Sequence, residues 1–164
     1  MSLEVRIEPA SVEDAAEILD LQKLAYQSEA ALHDEYRIPP LTQTLADMQA
    51  EFGRQVVLKA SAGGRIVGSV RGHVQDGTGY VGRLIVHPDV QNQGLGTRLM
   101  AEIEAVLTRA HRFELFTGHK SERNLYLYRK LGYRPFKEEK VGERLTLVYL
   151  EKQNPAGKPG GGQG

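Results

Sequence analysis

The chain contains no cysteine, which excludes disulfide cross-links, zinc–thiolate sites, iron–sulfur clusters and a thiol nucleophile. It has no run of about 18 apolar residues, and Met1 to Arg6 lacks a basic segment followed by an apolar one, so neither a spanning helix nor a secretory leader is expected. An excess of either charge is also missing: 21 Lys and Arg balance 21 Asp and Glu. No whole-chain field therefore favours a nucleic acid or a membrane surface, and any basic site must be local. His33, His73, His87, His111 and His119 never fall at H-x-x-x-H spacing, so no metal site is expected. The absence of a G-x-S-x-G elbow argues against a serine hydrolase.

What is present is a globular composition, 40% apolar and 26% charged over 164 residues, enough for one packed domain and too short for two ordinary ones. Residues 1–152 carry the domain. Residues 153–164, QNPAGKPGGGQG, hold no large apolar side chain to offset their ordering entropy and are expected to form a flexible Gly/Pro-rich tail. The composition suits a soluble cytoplasmic protein.

Val5 to Pro9 alternates like a short strand. Ser11 and Asp14 resemble a capping box before Ala15, Ile18, Leu19, Leu21 and Ala25, whose spacing predicts an amphipathic helix to about Ser28. Pro39-Pro40 interrupts, and a second short helix is predicted over Leu45 to Phe52. Two β-rich runs, Gln55 to Ala62 and Arg65 to Val74, flank Gly63-Gly64, and a third covers Thr78 to Val86 after Asp76-Gly77. Leu95, Leu99, Ile103, Val106, Leu107 and Ala110 mark one face of a long helix. A strand over Phe113 to Thr117, a helix from a Ser121 cap to Leu131, and strands near Tyr133 to Lys140 and Arg144 to Lys152 complete the chain. The order β-α-α-β-β-β-α-β-α-β-β predicts a mixed α/β (α+β) fold with helices on both faces of a mixed sheet.

The segment from Tyr80 to Leu99 carries the chemistry. A strand enters a Gly-bearing turn, Gln91-Asn-Gln-Gly94-Leu-Gly96-Thr97, and then a helix whose first N–H groups lack intrahelical partners. Such N–H groups, the positive end of the helix dipole and close backbone approach suit a phosphate or pyrophosphate. The turn has no Gly-Lys pair for a Walker loop, and Leu99 stands where a Rossmann fingerprint needs its third glycine. Taken alone, Gly94 and Gly96 suit a plain helix-start turn equally well.

The turn Gln91-x-x-Gly94-x-Gly96 after Leu84-Ile-Val86, together with Asn124-x-x-x-Tyr128-x-x-Leu-Gly-Tyr133 downstream, resembles the Gcn5-related N-acetyltransferase (GNAT) superfamily. The likeness extends from about Val5 to Lys152. It implies an acetyl-CoA-dependent N-acetyltransferase acting on a primary amine of a small molecule or peptide, with no covalent enzyme intermediate. By this resemblance Gln91, Asn92, Gln93, Gly94, Leu95, Gly96 and Thr97 bind the pyrophosphate of CoA. Leu84, Ile85 and Val86 line the pantetheine arm where two strands splay. The Leu84 amide faces the thioester carbonyl, and Tyr128 is the general acid that protonates the departing thiolate. By spacing alone Tyr128 is also a core aromatic, because it shares a stripe with Leu125 and Leu131. Asn124 either touches the cofactor or supports the helix start.

Histone-acetylating members carry a glutamate where this chain has Tyr80, so the base is unassigned among Glu114, His73, His119 and water. The loop around His33 to Leu41 and the last two strands should wall the acceptor pocket, with Asp34, Glu35 and Glu143 as groups able to attract a cationic amine. Arg98, Arg123, Arg129 and Lys130 match the phosphates of CoA. A homodimer is common in the family. A CoA-binding sensor with little catalysis is the alternative reading.

Overall fold

Residues 4–156 are described by a computed structural model. They run β1 (Arg6–Pro9), a 3₁₀ turn, α1 (Ala15–His33), α2 (Pro39–Thr42), α3 (Leu45–Glu51), β2 (Val56–Ala62), β3 (Arg65–Gln75), β4 (Thr78–Val86), α4 (Leu95–Val106), β5 (Arg112–Gly118), α5 (Glu122–Lys130), β6 (Arg134–Lys140) and β7 (Thr146–Gln153). The strands form one seven-stranded mixed sheet in the order β1-β2-β3-β4-β5-β7-β6. Its sole parallel pair among the described residues is β4–β5, which the α4 crossover permits.

Alternation along the strands divides the core. Val57 and Ile66 join Ile18, Leu19 and Met48 in the cluster under α1 and α3. Their neighbours Leu58 and Val67 turn to the opposite face and pack with Leu99, Ile103 and Phe113. Each such aliphatic side chain contributes about 1.5–3 kcal/mol by burial. The helices therefore cover both faces.

Local differences from the sequence reading have physical causes. The capping box forms, Asp14 accepting from the Ser11 N–H at 2.9 Å, but it starts a 3₁₀ turn that leads into α1. Helix α1 continues past Ser28 to His33 because Ala30 and His33 are buried there, and Asp34 closes it at φ 50°. Pro39-Pro40 starts α2 instead of only breaking a pattern, since proline at the first helical positions forfeits no intrahelical bond. Val106 is exposed and Ala110 is buried beyond the end of α4, so the helical stripe is shorter than its spacing suggests. Ser121 occupies the N-cap of α5, yet its hydroxyl donates to Glu29 rather than capping the helix. Past the expected boundary at 152, Gln153 belongs to β7 and the Asn154 N–H donates to His111 O at 2.8 Å. The rest of the expected tail, 157–164, lies outside the described residues.

The feature that positions the site is a gap. Strands β4 and β5 pair only at Thr78↔Arg112, Gly79↔Phe113 and Tyr80↔Glu114, after which β4 runs on to Val86 and β5 to Gly118 without pairing. On its other edge β4 carries a bulge: Arg83 and Leu84 stand together opposite Val70, between the pairs Gly82↔Arg71 and Ile85↔Ser69. Arg83 takes φ 52° there, a left-handed conformation uncommon outside glycine.

Candidate active site

The turn after β4 curls through Asn92 at φ 65° and Gly94 at φ 80°. A side chain at Gly94 would meet no atom within 4 Å, so the restriction there is backbone conformation and the space in front of it is open. The Arg98 N–H donates to Gly94 O at 3.1 Å, which leaves the N–H groups of Leu95, Gly96 and Thr97 ahead of the helical ladder. Gly96 has a second role: a Cβ there would lie 3.4 Å from Leu127, so its absence lets α4 and α5 approach.

These residues wall a cavity of about 400 Å³ that also takes in Leu84, Ile85, Val86, Gln91, Asn92 and Asn124. Gln93 lies outside its lining. The cavity receives two cations from α5, Arg123 and Lys130, whereas Arg98 donates to Val5 O at 3.1 Å and Arg129 is not among the lining residues. Gln91 links α5 to the end of β4, with Arg123 donating to its Oε1 and its own Nε2 3.5 Å from Val86 O. The donor set fits an anionic, phosphate-bearing ligand: free helix N–H groups, two cations and room in front of Gly94.

A second cavity of about 270 Å³ occupies the β4–β5 gap. Tyr26, Glu29, Leu84 and Asn124 line both cavities and so form their junction. Tyr128 stands in the second cavity, 6% exposed, its ring edge-on to Tyr133 at 6.0 Å between centroids. Its hydroxyl has no protein hydrogen-bond partner among the described residues, and burial pushes its phenol far above its ordinary pKa, with smaller contributions from Tyr26 and Glu29. Asn124 donates to Thr117 Oγ1 at 3.2 Å from β5, so it braces the gap as well as lining it. Tyr126, 70% exposed, lies at the rim of the first cavity.

The walls of the second cavity include Ile38, Pro39 and Pro40 on one side and Val141, Leu145 and Leu147 on the other. His33 also borders it, but both ring nitrogens are engaged. Its Nε2 accepts from the Lys120 N–H at 3.1 Å, which makes Nδ1 the protonated nitrogen that donates to Glu29 O at 2.9 Å. Gly118 makes room for this ring, since a Cβ there would come within 2.4 Å of it.

None of the three side chains considered as base from the sequence lines the junction. Glu114 pairs with Arg112 at 3.1 Å, His73 stacks on Tyr80 at 5.3 Å beside the end of α4, and His119 is exposed and accepts from the Thr146 N–H at 3.1 Å. Residue type suggested them, but their strand and loop positions direct them elsewhere. Asp34 and Glu35 are likewise spent on Arg144 at 3.6 Å and Arg37 at 3.0 Å, and Glu143 borders a separate groove. The carboxylate at the junction is Glu29, which sequence reasoning missed together with Tyr26 and Arg83. Nothing local marks Glu29: only the packing of α1 across the open gap brings it there.

The comparisons with known proteins agree with this architecture. The model of the acetyltransferase (GNAT) family matches residues 15–133, and the chain belongs to that family. The fold is similar to that of the PaiA N-acetyltransferase from Thermoplasma acidophilum solved with coenzyme A, at TM-score 0.78 and 16% identity over 93% of this chain and 100% of the other. YncA from Salmonella typhimurium, a putative acetyltransferase solved with acetyl-CoA, gives TM-score 0.74 and 19% identity over 95% and 98%. A phosphinothricin acetyltransferase from Sinorhizobium meliloti, solved with acetyl-CoA, gives TM-score 0.74 and 16% identity over 94% and 92%. No curated protein sequence matches the chain.

Proposed function

We propose that the protein transfers the acetyl group of acetyl-CoA directly to a primary amine of a small molecule or peptide. The observation that carries this reading is the junction of the two cavities at Tyr26, Glu29, Leu84 and Asn124, in a strand gap open to both. When bound, acetyl-CoA supplies a thioester activated toward an amine. The N–H groups of Leu95, Gly96 and Thr97, with the turn from Gln91 to Gly94 and the cations of Arg123 and Lys130, would hold its pyrophosphate. Ile85 and Val86 offer the free edge of β4 to its arm.

Three groups then divide the work. The Leu84 N–H, at the bulge, is the donor for the thioester oxygen. Tyr128 holds its proton at every physiological pH and gives it to the departing sulfur. Glu29 takes the place the sequence left open. One carboxylate oxygen is fixed by the Ser121 hydroxyl, and the other is free to accept the proton that the substrate ammonium must lose before its nitrogen can attack.

The test is a thermal melt with CoA followed by acetyl transfer across a panel of amines. Ligand at 100 times its dissociation constant should add about 2.7 kcal/mol of stability. Gly94→Asp, which places a carboxylate in the open space before the turn, should abolish the shift in a protein that still folds. A melt without any shift removes the acetyl-CoA assignment, and a shift without transfer to any amine selects the CoA-binding sensor instead.

A further inference from the structure

The second cavity contains a charge that the transfer reaction does not require. Arg83 lines it from the bulge of β4, held at φ 52°, with its Nε–H buried and without a partner among the described residues. Among the described residues no carboxylate lies within ion-pair distance of Arg83, although seven Lys or Arg pairs with carboxylates form elsewhere among them. A second guanidinium, Arg71, sits behind it on β3, 5% exposed. Its contacts are weak ones, to Met48 Sδ at 3.3 Å and Gln43 Oε1 at 3.4 Å. Glu51 attracts Arg71 but is itself bonded to Gln55 at 2.8 Å and Arg54 at 3.3 Å. Burial and then the charge of Arg83 push the Arg71 guanidinium down to about 10. Two like charges share a partly dry region without a counterion of their own, and a cation desolvated in this way is stabilised when an anion reaches it.

The CoA phosphates are not that anion. Their donors, the N-terminus of α4 with Arg123 and Lys130, line the first cavity, and Arg83 lines only the second. Glu29, at the junction, carries the opposite sign to Arg83, and Ile38, Leu115, Leu145 and Leu147 supply apolar walls. Resting on the acetyltransferase reading above, we propose that the acceptor is a small amine that also carries a carboxylate, an amino acid with an apolar side chain, whose carboxylate binds Arg83 while its amine lies toward Glu29. Arg83 thereby does two things. It fixes the carboxylate through its planar fork of N–H donors, and its positive charge favours the neutral form of the nearby amine, the form that attacks. The cavity, about 270 Å³, has room for one such molecule.

The test uses the full chain with L-leucine, L-methionine and L-phenylalanine, each beside its carboxamide, which keeps the amine and the side chain but removes the negative charge. The wild-type protein should acetylate at least one acid with a kcat/KM ten-fold or more above its carboxamide. Arg83→Gln should erase that preference, mainly through KM on the acid, and keep its thermal shift with CoA. Arg83→Lys should recover part of the preference. An equal or better rate on the carboxamides, or a preference that survives Arg83→Gln, overturns the proposal. A second arm needs no turnover: N-acetyl-L-leucine should bind the CoA-saturated protein in a calorimetric titration, N-acetyl-L-leucinamide should bind at least ten-fold more weakly, and Arg83→Gln should remove the difference. Binding of this kind without acetyl transfer supports the anion site and refutes the transferase reading. Equal binding of the two N-acetyl compounds refutes the anion site whatever the transfer assay shows.

Discussion

Tyr128→Phe separates the chemical role of the hydroxyl from the packing role of the ring. The ring fills the face of α5 against Tyr133, with centroids 6.0 Å apart, and phenylalanine preserves that volume. Tyr128 lines the second cavity and its hydroxyl makes no protein hydrogen bond among the described residues, so its removal strands no buried partner and should cost less than about 1 kcal/mol of stability. The effect on turnover should be much larger. A positioned general acid contributes roughly 10²–10⁴-fold, which corresponds to about 2.7–5.4 kcal/mol of barrier at 1.36 kcal/mol per decade. Burial raises the phenol pKa, which keeps the proton in place but weakens the acid. The same low-dielectric surroundings raise the proton affinity of the sulfur beside it, so the driving force for transfer survives. Steady-state rates on the best amine, with the dissociation constant of acetyl-CoA and an unfolding curve measured in parallel, give all three quantities. The expected pattern is a kcat lowered at least 100-fold, with binding and stability nearly unchanged. Unimpaired turnover would remove Tyr128 from the mechanism, and a stability loss of 2 kcal/mol or more, on the scale set for an orphaned buried partner, would mean that the hydroxyl is structural.

Glu29→Gln keeps the shape of the junction and its bond from Ser121 but withdraws the proton acceptor; kcat should fall by about 10²-fold or more at neutral pH and recover partly as rising pH deprotonates the amine in solution. A pH–rate profile of the variant that overlays the wild type would exclude Glu29 as base. Gly118→Ala should cost about 1–3 kcal/mol, because its Cβ would lie 2.4 Å from the His33 ring, and His33→Ala in the same chain should relieve most of that penalty. Additive unfolding free energies in this double-mutant cycle would show that the contact does not limit the packing. Burial opposes ionisation of Asp14, but the Ser11 N–H and the Lys59 ammonium at 2.9 Å outweigh it and hold its carboxyl below the usual range. A lowered carboxyl pKa adds stability above the unfolded-state value that is lost as pH falls through the folded one. Asp14→Asn should therefore lower stability at pH 7, by about 1 kcal/mol for a partly buried pair at the surface, and the gap to wild type should close in acid.

Several features were legible because they are written in contiguous residues. The turn from Gln91 to Thr97 carries its left-handed glycine and its free N–H groups within one stretch, so a cradle whose donors suit an anion could be expected before any fold was known. Runs of β-favouring residues located β2, β3 and β4 to within a residue or so, and the two-residue segments Gly63-Gly64 and Asp76-Gly77 marked their turns. The order of these elements, with a meander followed by helical crossovers, already called for a mixed sheet, and the one parallel pair among the described residues falls across the long helix between β4 and β5. These are consequences of local backbone preference and side-chain period, and both act over a few residues.

Other properties exist only once distant segments meet. The β4–β5 gap depends on where pairing stops, at Tyr80↔Glu114, which no residue type announces. Glu29 becomes the junction carboxylate because α1 crosses that gap and Ser121, 92 positions away, fixes one of its oxygens. His33 reads as the start of a pocket-walling loop in the sequence and becomes a spacer at the end of α1 with both nitrogens occupied, fitted against Gly118. Glu114, His73 and His119 show the converse, since their chemistry suits a base and the fold assigns each to another contact. Acid–base chemistry depends on distance and desolvation, which strand pairing and helix packing determine, whereas the sequence specifies only which groups are available to be placed.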